Sequence, residues 1–160
     1  MLPPEFQKLP YRPCVGIMLL NTDNHIFVGE RLDNLGAWQM PQGGIDPGED
    51  VHQAAMREMM EEVGTNQADI IKVADTKVRY DLPAERIPNF WNGKYRGQEQ
   101  TWVALRFTGQ DSDIILDNHH EPEFNQWKWV KPKETVDLIV PFKRELYMQV
   151  LDLFDDILSS

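Results

Sequence analysis

The sequence predicts an α+β sandwich, and three observations carry that expectation. Its 160 residues suit one domain with a sizeable core, because at this length about 70% of the unfolded chain's surface can be buried. Hydrophobic residues make up 41% and charged residues 26%, the mix of an ordinary globular chain. Collagen-like, low-complexity and disordered readings are thereby excluded. Third, the segments that read as strands and those that read as helices follow one another without regular βαβ alternation. No apolar run approaches the roughly 18 residues of a membrane span. The start, Met1 to Phe6, lacks the basic and apolar regions of a secretory signal, and the lone Cys14 permits no internal disulfide. A cytoplasmic setting is expected on both counts.

The chain is expected to form a single domain over 1–160, with residues 1–9 as a flexible lead. Cys14 to Leu20 is a short apolar run that meets the turn cluster Asn21–Asn24 and continues as His25 to Gly29, which predicts a β-hairpin over 14–31. Trp38–Met40 reads as a short strand before Pro41. Residues 50–63 are good helix formers free of Gly and Pro, with Gly64 as the stop. Ile70–Ala74 and Thr101–Phe107 are strand-like in their β-branched and aromatic content. Between them, residues 81–99 hold Pro83, Pro88, Gly93 and Gly97 and predict a long loop of the kind that often carries function. Phe124–Val130 is the last expected strand. Pro132 opens a short helix, and 142–157 an amphipathic terminal one.

Charge is distributed unevenly. The net of −10 comes from 16 basic and 26 acidic residues. Residues 1–75 carry 5 basic against 12 acidic groups, residues 76–109 carry 6 against 3, and residues 110–160 carry 5 against 11. Bulk charge of this sign speaks against a grip on DNA or on anionic lipid. It leaves room for a polyanionic substrate held through metal ions. Residues 42–65 alone hold six acids and one arginine, half of the whole excess.

Within that acidic segment Glu58, Glu61 and Glu62 stand at i, i+3 and i+4, on one helical arc about 100° wide. Met56, Met59, Met60 and Val63 occupy the adjoining face and are expected to anchor it. Three carboxylates so close repel one another, and divalent cations relieve the repulsion because Mg²⁺ favours one or two carboxylates plus substrate phosphates. Gly43-Gly44 and Pro47-Gly48 form a rigid loop before the helix, where backbone can approach a ligand. Arg57, eight residues after Glu49, can pair back to it and fix loop against helix.

Gly43, Glu49, Arg57-Glu58, Glu61-Glu62 and Gly64 match the pattern G-x5-E-x7-R-E-U-x-E-E-x-G-U, with U a bulky aliphatic residue. Met59 suits the first aliphatic position and Thr65 departs at the last. In this the sequence resembles the Nudix hydrolase family. Tyr11-Arg12-Pro13, Trp38 to Gly44, Pro122-Glu123-Phe124, Trp127-Lys128-Trp129 and Pro141-Phe142-Lys143-Arg144 are similar to one branch, the bacterial RNA pyrophosphohydrolases and dinucleoside polyphosphate hydrolases. The resemblance covers roughly residues 10–155. It implies a mixed β-sheet between helices and a requirement for Mg²⁺, with Mn²⁺ able to substitute. It implies metal held by Gly43, Glu58, Glu61, Glu62 and Glu123, with Arg57 among the catalytic set. Water would then attack a phosphorus of a nucleoside diphosphate linked to another group, a reaction that needs placement and charge neutralisation above all.

Base recognition needs a flat ring and a cation, which Phe142 and Arg31 can supply, and the resemblance places both in a nucleobase cleft. It sets Arg12 and Lys143 on phosphates and Tyr80 near the polyphosphate chain. On the residues alone, Phe142 serves equally as core, Arg31 as a strand-end cation and Tyr80 as a sheet residue. The aromatic and basic loop Asn89–Gln98, with Lys94 and Arg96, is a second candidate wall for a single-stranded 5′ end or a second nucleoside. His119 and His120 look like a metal pair, but adjacent side chains in a loop diverge, and no metal is assigned to them. The expected substrate is a 5′-triphosphate or diphosphate RNA end, or a dinucleoside polyphosphate such as diadenosine tetraphosphate. A housecleaning mononucleotide hydrolase is the alternative. A catalytically silent nucleotide-binding module predicts a broken carboxylate set, and Arg57, Glu58, Glu61 and Glu62 are all present.

Overall fold

The first apolar run becomes a strand buried on both faces. The computed structural model describes residues 2–117 and 122–159, and in it Tyr11–Leu20 form β1, with every residue from Cys14 to Leu20 buried. Side chains alternate across a strand. Val15, Ile17 and Leu19 accordingly meet Ala54, Ala55, Met59 and Val63 on one side, while Met18 and Leu20 meet Tyr147, Val150 and Phe154 on the other. Helices thus cover both sides of the sheet.

β1 runs parallel to β7 (Gly97–Phe107) along its whole length, from Tyr11–Gly97 to Leu20–Arg106. The hairpin expected over 14–31 is splayed: β2 (Ile26–Arg31) is in register with β1 only at Leu20–Ile26. Beyond that point β2 pairs with β3 (Trp38–Gln39) and β8 (Phe124–Val130). The gap beside β1 is filled by β4 (Gln42–Gly44), antiparallel to Cys14–Gly16. That segment reads as loop in the sequence because its glycines give no strand signal. On the far side of β7 lie β5 (Ala68–Val73) and β6 (Val78–Asp81), both antiparallel to it. The expected long loop over 81–99 therefore starts inside one strand and ends inside another, and 3₁₀ turns at Ala84–Asn89 and Trp91–Gly93 occupy its middle.

Residues 2–9 depart from the expected flexible lead. Pro4–Gln7 form α1, and Leu2, Phe6 and Leu9 pack with Leu82, Ile87, Phe90 and Trp91. Arg96 ties the segment down by donating to the Gln7 carbonyl at 3.1 Å. Helix α2 (Val51–Glu58) starts on a capping box in which Asp50 accepts from the Gln53 N–H at 2.8 Å and Gln53 accepts from the Asp50 N–H at 3.0 Å. It continues as a π-helical turn, Met59–Val63, closed by Gly64 N–H donating to Met59 O at 3.1 Å. Met59 and Val63 are fully buried as expected, but Met60 is 40% exposed and does not anchor the helix. After α3 (Glu134–Leu138) the expected terminal helix is broken twice. A 3₁₀ turn at Pro141–Lys143 precedes α4 (Arg144–Leu153), and Phe154, whose ring is fully buried, separates α4 from α5 (Asp155–Leu158). Among the described residues no helix is long and apolar enough to cross a membrane.

Candidate active site

Where β4 leaves β1, the sheet opens into a cavity of about 910 Å³. One wall is acidic. Glu58, Glu61 and Glu62 from the α2 segment and Glu123, just before β8, line it together with Gly43. The same cavity is lined by Arg12, Arg31, Arg86 and Lys143 and by the rings of Tyr80, Phe90, Trp91 and Phe142. All the substrate and metal residues expected from the sequence, Arg12 and Tyr80 included, face this one space. His119 and His120 lie outside the described residues.

Arg57 organises the acidic wall from behind. Its Nε and Nη2 donate to the two Glu49 oxygens at 2.8 and 2.9 Å, and Nη2 also donates to the Gly44 carbonyl at 2.8 Å. The anticipated tie between loop and helix is therefore present, and the fork geometry of guanidinium is what makes it bidentate. Held this way, Glu49 has its carboxyl lowered to about 2. The remaining nitrogen, Nη1, reaches Glu58 at 2.8 Å and Glu61 at 3.1 Å, so part of the repulsion among the acids is already relieved by this one cation.

Glu62 has no such partner. The π-helical turn sets it against β4, buried, and among the described residues it accepts only from the Gln42 N–H at 3.2 Å. Burial pushes its carboxyl well above the ordinary range, and Glu58 and Glu123 add to the push. Glu58 is raised too, mainly by burial. A Cβ on Gly43 would overlap the Glu58 carboxylate, so only glycine lets β4 pass this close. The buried Gln42 Oε1 also accepts no hydrogen bond from the described residues. Glu62, buried without a cation, and Glu58, paired on one oxygen, both line the cavity and offer the hard carboxylate oxygens a divalent cation favours. Among the described residues no three acids, histidines or cysteines converge as a ready-made cage.

Among the cations lining the cavity, Lys143 is buried, with Nζ 4.9 Å from the centre of the Tyr80 ring. Burial, with Arg31 and Arg86 nearby, lowers its ammonium to about 8. Arg31 and Phe142, expected in one nucleobase cleft, both line the cavity. Arg31 is held by Asp33, with Nε 2.7 Å from Oδ1, and by Gln39 Oε1 at 3.3 Å. Two cations lie over the Phe142 ring, Arg86 at 5.2 Å and Lys143 at 5.8 Å from its centre. Nothing in the sequence marks Arg86, which stands between prolines in an apparent loop. The aromatic loop contributes its rings and not its expected charges. Phe90 and Trp91 line the cavity, and Arg12 sits 5.2 Å from the Trp91 ring. Arg96 is paired with Asp81 at 2.8 and 3.1 Å outside the cavity, and Lys94 is not in its lining either. Trp91 and Asn92 adopt φ of 50° and 58°, a strained presentation for non-glycine residues of the kind that clusters at ligand sites.

Residues 10–150 match the family profile of the NUDIX domain. The chain belongs to the Nudix family. This Nudix enzyme is a pyrophosphohydrolase, a hydrolase of phosphoric anhydride bonds. Curated Nudix relatives named RNA pyrophosphohydrolase include one from Novosphingobium aromaticivorans, 52% identical over 157 residues, covering 96% of this chain and 98% of the relative. Another, from Rickettsia canadensis, is 53% identical over 152 residues and covers 94% of each chain. Among solved structures, the E. coli dihydroneopterin triphosphate pyrophosphohydrolase superposes with a TM-score of 0.66 at 21% identity, covering 88% of this chain and 96% of that one. A C. elegans Ap4A hydrolase gives 0.65 at 18%, with 91% and 99% covered. These two likenesses show the Nudix fold, a mixed sheet with helices.

Proposed function

We propose that this Nudix enzyme is a metal-dependent pyrophosphohydrolase that shortens the polyphosphate chain at the 5′ end of RNA, in the cytoplasm. The observation that carries the reading is that Glu58, Glu61, Glu62 and Glu123 share one cavity with four cations and four aromatic rings, a lining that suits a polyphosphate with a nucleoside stacked at one end. RNA is favoured over a free nucleotide because the relatives matched over nearly their whole length bear that name. Glu58, Glu61, Glu62 and Glu123, with Gly43, would hold Mg²⁺ or Mn²⁺. Bound there, the cation would neutralise charge on phosphate oxygens and acidify a water. Arg57 fixes Glu58 and Glu61 while taking no part in binding substrate. Lys143, Arg12 and Arg31 neutralise the phosphates, Tyr80 lies along the chain, and Phe142 offers its face to a base.

A second reading, dinucleoside polyphosphate hydrolysis, draws on the two aromatic groups of the cavity, Phe142 with Tyr80 and Phe90 with Trp91, which could each take a nucleoside. The test is product analysis on triphosphate-ended RNA, diadenosine tetraphosphate and a nucleoside triphosphate, with and without Mg²⁺. The proposal expects Mg²⁺-dependent turnover of the RNA end, favoured by more than about 100-fold in kcat/KM, or about 2.7 kcal/mol. Hydrolysis of the free nucleoside triphosphate alone would overturn it.

A further inference from the structure

Three polar or amphipathic residues alternate along β7 on one side of the sheet: Gln98, Gln100 and Trp102. They are buried to 1%, 2% and 1% exposure. An indole carries one N–H and no acceptor, so the direction of any hydrogen-bond chain that begins at Trp102 is fixed. Trp102 Nε1 donates to Gln100 Oε1 at 2.8 Å, and Gln100 Nε2 donates to Gln98 Oε1 at 2.7 Å. Gln98 has thereby committed its oxygen. Its amide NH₂ donates to no protein acceptor among the described residues, and the side chain lines the cavity.

The sheet places that amide in a row of donors. Gln98 is in register with Arg12 on β1 and with Tyr80 on β6, and both of these line the same cavity. Guanidinium is a donor only, and burial pushes the Tyr80 hydroxyl far above its ordinary range, so it stays protonated. The Trp102 end is equally constrained: its ring lies on Gly16, where a Cβ would overlap it, and against the edge of Tyr147 at 6.1 Å.

We propose that Gln98 is a substrate-contacting residue that donates to a phosphate oxygen, and that Trp102 is a positioning residue that sets the direction of the Gln98 amide through Gln100. The inference rests on the polyphosphate reading of the cavity. A free glutamine can turn its oxygen to the ligand and repel an anion. The relay forbids that orientation, because turning Gln98 would set its NH₂ against the Gln100 NH₂.

The experiment is calorimetric titration with inorganic tripolyphosphate in the presence of Mg²⁺, beside steady-state kinetics on triphosphate-ended RNA. Gln98→Leu removes the donor and is expected to weaken tripolyphosphate about tenfold, the loss of one hydrogen bond to a charged group. Gln98→Glu keeps the shape but offers only acceptors, and is expected to weaken it further. Trp102→Phe keeps a ring on Gly16 but deletes the N–H, and is expected to weaken binding about threefold. In each case KM rises while kcat stays within about twofold, because the contact is made equally in ground and transition states. Near-unchanged thermal unfolding of Gln98→Glu would confirm that a folded site is being compared. Wild-type affinity in both Gln98 variants would overturn the contact, and wild-type affinity in a folded Trp102→Phe would overturn the positioning role. Failure of the unaltered protein to bind tripolyphosphate would instead overturn the polyphosphate reading of the cavity.

Discussion

At Lys143 the protein buries a cation among other cations. Arg31 from β2 and Arg86 repel it, Tyr80 offers a ring, and the acid nearby, Asp33, is occupied by Arg31. Such a side chain costs stability until an anion arrives. Its folded-state ammonium titrates at about 8 against an ordinary 10.5, so between those values the unfolded chain holds the proton that the folded one has released. Stability contributed by this group therefore rises with pH from about 8 to about 10.5, and the cost is fully present below 8. Lys143→Met should stabilise the protein by about 1–3 kcal/mol at pH 7, a gain that fades toward pH 10.5, as urea unfolding at the two values will show. The same variant should raise KM at least about tenfold. Glu62 poses the opposite case, an acid buried without a cation. Mg²⁺ should raise the melting temperature of the unaltered protein, and Glu62→Gln should abolish that rise and lower Mg²⁺-dependent turnover by about 10²–10⁴-fold. Turnover left intact would remove Glu62 from the metal site. Glu58, Glu61 and Glu62 were legible because their spacing is local and specific. Arg86 was not, because its relation to Phe142 spans 56 positions of sequence and is made only by the fold.

Helix α2 and its π-helical turn work as one element with the loop before them. Arg57 joins five oxygens from Gly44, Glu49, Glu58 and Glu61, so its loss frees the loop and two wall acids together. Arg57→Lys keeps the charge but not the fork. It should lower kcat about 10- to 100-fold with little change in KM, and the Mg²⁺ concentration for half-maximal rate should rise. An unchanged Mg²⁺ dependence would count against the organising role. The pairing of Arg57 with Glu49 could be read from an eight-residue interval, whereas β4 could not, since Gln42-Gly43-Gly44 has neither alternation nor β-branching. Its strand character comes from the gap that β2 leaves when it turns from β1 to β8. The same long-range choice hid the splayed hairpin: the residues of 14–31 specify two strands and a turn, but not which neighbours each strand keeps. Lys94 and Arg96 illustrate a further limit, for charge in a loop says nothing of which side it faces.

The whole molecule is held together at its substrate end by a third, small apolar cluster. Leu2, Phe6 and Leu9 brace Ile87, Phe90 and Trp91, so the presumed lead is a buttress of the cavity wall. Deleting residues 1–9 should cost about 2–3 kcal/mol, lowering the melting temperature by about 5–10 °C, and should raise KM through the loosened Phe90–Trp91 wall. A truncated protein with unaltered melting temperature and KM would refute the bracing. The α+β class was readable from pattern because both helices and strands carry local periodicity, and half of the net charge of −10 could be traced to residues 42–65, which supply three of the acids that line the cavity. What pattern could not supply is the parallel ladder between β1 and β7. That ladder joins residues 11–20 to residues 97–106, so the first strand of the chain meets its principal partner only after the 76 positions from 21 to 96 have been made. On the ribosome, β1 must therefore wait, with its apolar face exposed, through most of synthesis, and collapse of the core is a late and concerted event. A fragment ending before Gly97 should stay unfolded by circular dichroism, and refolding of the full chain should lack any early phase in which β1 amides are protected from exchange.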